Sequence, residues 1–133
     1  MRRDTCVPAL ALPVVLSLAL GGCANSLPAA STSSFDAEGW RGQARNYRCA
    51  DGTRLAVAYL NPREGVALAV VAIGSTQAVL RNLPAASGAR YVDVDEQRGL
   101  RWHTKGDEGF LAVLAPDHTA TEQPLHTACR AQP

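Results

Sequence analysis

The sequence predicts an all-β fold, a small eight-stranded antiparallel β-barrel behind a secretory leader and a flexible tether. From Arg45 onward, short apolar or alternating runs recur about every ten residues, broken by Gly, Pro, Asn and Asp, as in an antiparallel sandwich or barrel. The 133 residues suffice for one domain, at roughly 100–200 residues per domain, so one core must support everything. Closing such a sheet removes its unpaired edges, which favours the barrel. With only seven aromatic residues in the chain, aliphatic side chains must fill the interior, leaving no room for a large ligand.

Met1 to Cys23 opens with Arg2 and Arg3, continues through the apolar stretch Val7 to Leu20 and ends in Leu20-Gly21-Gly22-Cys23. The stretch carries Pro8 and Pro13 and falls short of the about 20 apolar residues a spanning helix needs, so it reads as a removable signal. Its last four residues resemble the lipobox of bacterial lipoproteins, in which the cysteine is acylated and becomes the new N-terminus. A small-residue cleavage site that happens to precede a cysteine is the alternative. Acylation contributes about 0.8 kcal/mol per buried CH₂, and two or three chains hold a soluble domain stably on a membrane. Ala24 rather than Asp follows Cys23, which favours the outer membrane, facing the periplasm. The expected organisation is a signal peptide over 1–22, a lipidated Cys23 with a flexible tether over 23–42, and the barrel over 43–133. Asn25 to Ser34, rich in Ser, Ala and Thr, suits a tether, and Phe35 to Arg41 reads as a short helical turn that lets Trp40 pack on the body.

The strands then follow in order. Arg45 to Cys49 leads into Ala50-Asp51-Gly52, where Asp-Gly signals a hairpin. Thr53 to Leu60 alternates with Leu55, Val57 and Tyr59 on one face, and the turn Asn61 to Gly65 follows. Val66 to Ile73 is apolar on both faces, as in a covered strand or a buried helix segment. Beyond Gly74-Ser75 come Thr76 to Leu83, the loop Pro84 to Gly88, and Ala89 to Val94. Leu100 to Thr104 carries Trp102, Lys105 to Gly109 turns the chain into Phe110 to Ala115, and a long polar loop, Pro116 to His126, precedes a last strand, Thr127 to Arg130.

Without the leader and Cys23, Cys49 and Cys129 remain as a pair in an oxidising compartment. If bridged, they join the first strand to the last; two free buried thiols are the other possibility. The net charge of +1 removes any composition-level case for nucleic acid. The distribution is uneven: Arg41 to Arg90 is rich in arginine, whereas Tyr91 to Pro133 is acidic through Asp93, Asp95, Glu96, Asp107 and Glu108. These anions either steer a cationic partner or are solvated turn residues. Lys105 is the sole lysine.

Chemistry is sparse. There is no Gly-x-Ser-x-Gly elbow, phosphate loop or Cys-x-x-Cys, and His103, His118 and His126 lack ligand spacing, so neither an enzyme nor a metal or other cofactor is expected. Ser87-Gly88 and Lys105-Gly106 remain as glycine-flanked tips on separate loops, able to hold a hydroxyl and an amine outward.

At these residues the chain resembles the MliC/PliC family of c-type lysozyme inhibitors. Tyr47-Arg48-Cys49, Gly52, Tyr59, Ser87-Gly88-Ala89-Arg90-Tyr91, Lys105-Gly106-Asp107-Glu108 and Cys129 stand in the family's order over about 85 residues. The resemblance implies an eight-stranded barrel, a Cys49–Cys129 bridge, c-type lysozyme as partner, and contact with its catalytic carboxylates through Ser87 and Lys105. Gly88 and Gly106 would shape the tips, Asp107 and Glu108 would be secondary contacts, and Tyr47, Tyr59, Tyr91 and Trp102 would be structural. His103 replaces a frequent aromatic, and Asp93 to Leu100 is longer than usual. A non-enzymatic envelope lipoprotein that protects peptidoglycan is the function implied; a binding module for another envelope protein or glycan is the alternative. Cells grown with an alkyne fatty acid are expected to label the wild-type chain and not Cys23→Ala, read by in-gel fluorescence; equal labelling would exclude Cys23 as the acylated residue.

Overall fold

The computed structural model describes residues 33–115 and 121–133. The expected leader, Cys23, the first half of the expected tether and His118 lie outside the described residues. Nine strands follow in order: β1 (Ser33–Ala37), β2 (Trp40–Arg48), β3 (Arg54–Pro62), β4 (Leu68–Ile73), β5 (Thr76–Leu83), β6 (Ala89–Asp93), β7 (Leu100–Lys105), β8 (Glu108–Val113) and β9 (Gln123–Ala131). Each pairs antiparallel with the next, and β2 also pairs with β9, so β2 to β9 close into an eight-stranded barrel. β1 is an additional strand on the first half of β2.

Phe35 to Arg41 is therefore a β-hairpin rather than a helical turn. Glu38-Gly39 makes the turn, with Gly39 at φ +81°. Opposite the Phe35 ring stands Gly42, where any Cβ would overlap that ring. Ordered strand thus begins at Ser33, inside the span expected as tether. At the other end of the chain, β9 starts at Gln123, within the expected Pro116–His126 loop. Pro124 and register shifts against β8 disrupt the alternation that would have marked it as a strand.

The core follows the period-two rule. Tyr47, Leu55, Val57, Tyr59, Ala69, Val71, Leu80, Tyr91, Trp102 and Leu111 face inward and are buried. Burying a side chain the size of Leu80 contributes about 1.5–3 kcal/mol. In β4 Ala69 and Val71 are buried in the core and Ile73 packs against it; Leu68, Val70 and Ala72 point outward and are half-buried, so the outer side is not fully covered. Polar tips of the buried rings satisfy one another: Trp102 Nε1 donates to Tyr59 Oη at 2.9 Å, and Tyr47 and Tyr59 hydroxyls are hydrogen-bonded at 2.9 Å. Burial and the Tyr47 hydrogen bond push the Tyr59 hydroxyl well above the ordinary tyrosine range. The Tyr47 ring meets Trp102 edge-on at 5.0 Å, and a Cβ at Gly109 would stand 2.6 Å from Trp102 Cη2, so a glycine there makes room for the indole.

The segment from Asp93 to Leu100 forms a compact turn around one carboxylate. Asp93 is buried, accepts from Arg98 Nε at 2.6 Å and Nη2 at 2.9 Å, and caps the Asp95 N–H. Burial pushes the Asp93 carboxyl up, but these hydrogen bonds outweigh it and hold the carboxyl below its ordinary value. The turn lies at the opposite end of β7 from Lys105.

Cys49 and Cys129 are bridged across the β2–β9 seam, 80 residues apart in sequence. Beside the bridge, His126 Nδ1 and Asp51 Oδ2 are hydrogen-bonded at 2.6 Å, which holds the Asp51 carboxyl down at about 2. Loop closure of this length is worth about 4–5 kcal/mol in the chain-entropy description, comparable to the stability of a small domain. The double variant Cys49→Ala/Cys129→Ala is expected to lose about that much unfolding free energy in a urea titration; an unchanged midpoint would show that the ladder alone closes the barrel.

Candidate functional site

Both tips singled out in the sequence emerge at the same end of the barrel. Ser87 lies in the loop between β5 and β6, next to its last residue, Gly88, and Lys105 ends β7, where Gly106-Asp107 turns the chain into β8. Antiparallel pairing of Ala89 with Thr104 sets the two tips side by side. Gly88, at φ +68°, lies against the backbone of the other loop: a Cβ there would overlap the Thr104 carbonyl oxygen and stand 3.1 Å from Lys105 Cβ. Gly106 also has positive φ, +61°, but faces open space. The first glycine therefore serves close approach as well as turning, the second turning alone.

The Lys105 hairpin is braced from both sides of the seam. Thr104 Oγ1 donates to the Glu108 carbonyl at 3.1 Å across the turn. Arg45 Nη1 on β2 donates to Asp107 Oδ1 at 2.8 Å, and Arg130 Nη2 on β9 meets Glu108 Oε1 at 2.7 Å. The Asp107 hydrogen bond raises the Arg45 guanidinium above its ordinary pKa. Asp107 and Glu108 thus have arginine partners within the chain, and the field each presents to an incoming cation is offset. Asp93 is engaged by Arg98 in the same way. Lys105, by contrast, has no ion-pair partner among the described residues and is exposed.

Lys105 and its neighbours separate two depressions. At the barrel mouth a cavity of about 330 Å³ is lined by Gln43, Arg45, Tyr59, Asn61, Gly88 and Lys105. On the flank a groove of about 650 Å³ is lined by Ser87, His103, Lys105, Phe110, Pro124 and Thr127. Tyr47, Tyr59, Tyr91 and Trp102 are buried beneath the mouth and supply rigidity.

A second cluster, which no local residue pattern marks, lies beside this groove. Glu122 accepts from Arg90 Nη2 at 2.7 Å and is hydrogen-bonded to His103 Nε2 at 2.8 Å, while His103 stacks flat on Phe110 with ring centroids 4.4 Å apart. Burial pushes the Glu122 carboxyl up, yet Arg90 and His103 together hold it below its ordinary value. Histidine at this position thus keeps a flat ring for stacking and adds a polar tie to the start of β9. Among the described residues no group of three His, Cys, Asp or Glu could hold a metal ion, and no helix is long and apolar enough to cross a membrane.

A family model described as membrane-bound lysozyme-inhibitor of c-type lysozyme, MliC, matches residues 47–119, a span containing both tips and Cys49. The chain belongs to the MliC family. MliC proteins are inhibitors rather than enzymes, and the family is associated with the bacterial envelope. The fold is similar to the crystal structure of PliC from Salmonella typhimurium, a periplasmic inhibitor of c-type lysozyme, with a TM-score of 0.58 and 21% identity over 68% of this chain and 98% of that one. It is also similar to MliC from Pseudomonas aeruginosa, crystallised in complex with hen egg white lysozyme, with a TM-score of 0.51 and 23% identity over 98% of this chain and 100% of that one. At these identities the likeness is one of fold. No curated protein matches the chain.

Gly88→Ala combines backbone strain of about 1–3 kcal/mol with overlap against Thr104, whereas Gly106→Ala meets only the strain. Thermal unfolding is expected to rank Gly88→Ala as the less stable of the two; equal melting temperatures would show that the loops do not pack as described.

Proposed function

We propose that this protein inhibits c-type lysozyme stoichiometrically by inserting the Ser87 and Lys105 tips into the active-site cleft. The observation that carries this reading is the juxtaposition of the two tips at one barrel end, with the only lysine exposed and without an ion-pair partner among the described residues. Lysozyme of this class uses one carboxyl with a raised pKa as general acid and a second as nucleophile or stabiliser. An ammonium beside such a pair favours both ionised forms, which removes the proton donor. Ser87 can donate a hydrogen bond to a carboxylate oxygen while the loops occupy the space of the polysaccharide.

In this reading Gly88 allows the close approach of the two loops, Gly106 makes the turn beyond Lys105, and Asp107 and Glu108 act mainly as positioning residues that hold the Lys105 hairpin through Arg45 and Arg130. An ammonium on a flexible stem, with no ion-pair partner among the described residues, is suited to the role: it breaks no ion pair with them on entering the cleft, and its desolvation is offset by the carboxylates it meets. Anchoring of the barrel through acylated Cys23, on the outer membrane and facing the periplasm, would place the inhibitor where it protects peptidoglycan. The leader and its Leu-Gly-Gly-Cys ending support that anchor, as does the family's membrane-bound description.

In a turbidity assay with hen-type lysozyme, Lys105→Ala and Ser87→Ala are each expected to keep the wild-type fold. Truncating one partner of a desolvated charge pair removes about 2 kcal/mol or more, so Lys105→Ala should weaken inhibition roughly thirtyfold or more, and Ser87→Ala less. Wild-type potency in both variants would exclude this mode of inhibition.

A further inference from the structure

The closed barrel leaves one side wall unexpectedly apolar. Strand register places Trp40 opposite Pro62, Phe35 and Gly42 level with Leu60 and Leu68, and Ala44 and Ala58 level with Val70 and Val79. Tyr47, Tyr59, Val71 and Leu80 at alternate positions face the core, so this whole set faces outward. Phe35 is 49%, Trp40 40% and Val79 40% exposed, large values for side chains of this kind gathered on one face. Arg48, Arg54 and Arg81 stand on the same outer face at its margin: Arg48 pairs with Arg54, and Arg81 with Leu68. This wall carries much of the arginine excess of the Arg41–Arg90 segment, which the inhibitory tips do not use.

We propose that the outer face of β1 to β5 lies on a lipid bilayer containing anionic phospholipid, with Phe35 and Trp40 as interfacial anchors. The inference rests on acylation of Cys23. β1 begins at Ser33, and the nine intervening residues span about 30 Å at most, at ~3.3–3.6 Å per residue, so the acyl chains enter the membrane close to Phe35. An aromatic pair beside that point suits the headgroup region, where rings are half-immersed, and the marginal arginines match anionic headgroups. The acyl chains supply retention, and the wall supplies orientation. Ser87 and Lys105 project from loops at the strand ends rather than from this wall, so a docked barrel keeps its mouth accessible from the aqueous side.

The two tryptophans provide the test, since Trp102 is fully buried and Trp40 lies on the wall. The full-length acylated protein is reconstituted into phosphatidylethanolamine/phosphatidylglycerol vesicles with or without lipids brominated near the headgroup, alongside Trp40→Phe. Brominated lipid is expected to quench the wild-type emission and to leave the Trp102 emission of Trp40→Phe unchanged. Arg48→Gln/Arg54→Gln/Arg81→Gln is expected to reduce the quenching while inhibiting lysozyme in solution as the wild type does. An acylated chain that sediments with vesicles while Trp40 stays unquenched overturns the docking alone. A chain that lacks the acyl mass and remains in the supernatant overturns the anchor and the docking together. Trp40 shielded in a dimer of constant mass, with or without vesicles, assigns the wall to a second copy and overturns the proposal.

Discussion

Between β9 and β2 the hydrogen-bonded ladder contains only Tyr47 with Ala131 and Arg48 with Arg130, whereas β2 and β3 are paired along their whole length. Closure of the barrel depends on this short seam, and most of the unusual chemistry in the chain is gathered around it. The Cys49–Cys129 bond crosses it, the Ala50 N–H donates to the Thr127 carbonyl at 3.0 Å, and the Gln132 N–H donates to the Asn46 carbonyl at 2.8 Å. The Arg45–Asp107 and Arg130–Glu108 pairs tie the Lys105 hairpin to its two flanks, and the Ala131 N–H donates to the Asp107 carbonyl at 2.8 Å. Exposed ion pairs contribute little one by one. Here they act on geometry, because a hairpin fastened to both sides of a covalently closed seam has few ways to move.

The barrel was legible in the sequence because its strands obey period two and its turns carry Gly, Pro, Asn and Asp. Leu55, Val57 and Tyr59 share a face in the sequence and share the core in the structure. The failures have identifiable causes. The Glu38-Gly39 turn is a two-residue hairpin signal, but it comes directly after a Ser/Ala-rich stretch, and the ring-over-glycine contact between Phe35 and Gly42 leaves no periodic trace. The last strand was read at Thr127 to Arg130, but the first part of β9, from Gln123, was hidden by Pro124 and by its register shifts against β8. Apolar residues at successive positions of β4 suggested two covered faces, whereas the outer one faces away from the core.

For the site, the residue types on the two tips were legible, and their proximity was not. Proximity comes from the pairing of β6 with β7, a property of register rather than of local pattern. Glu122 escaped notice for a similar reason: its partners Arg90 and His103 lie 32 and 19 residues away in sequence. The acidic character of the C-terminal half was visible as composition, but composition is silent on pairing, and Asp93, Asp107 and Glu108 each turn out to face an arginine. What looked like one long-range field is largely a set of local ties.

Because Gly88 brings the backbone of its own loop against Thr104 and Lys105, the two tips behave mechanically as one body. Two independent loops would each surrender conformational freedom when a partner arrives, which weakens association. A fused pair has surrendered it already, during folding. Among variants that loosen this contact without touching the amine or the hydroxyl, the change should therefore be felt as shorter residence of the partner rather than slower encounter.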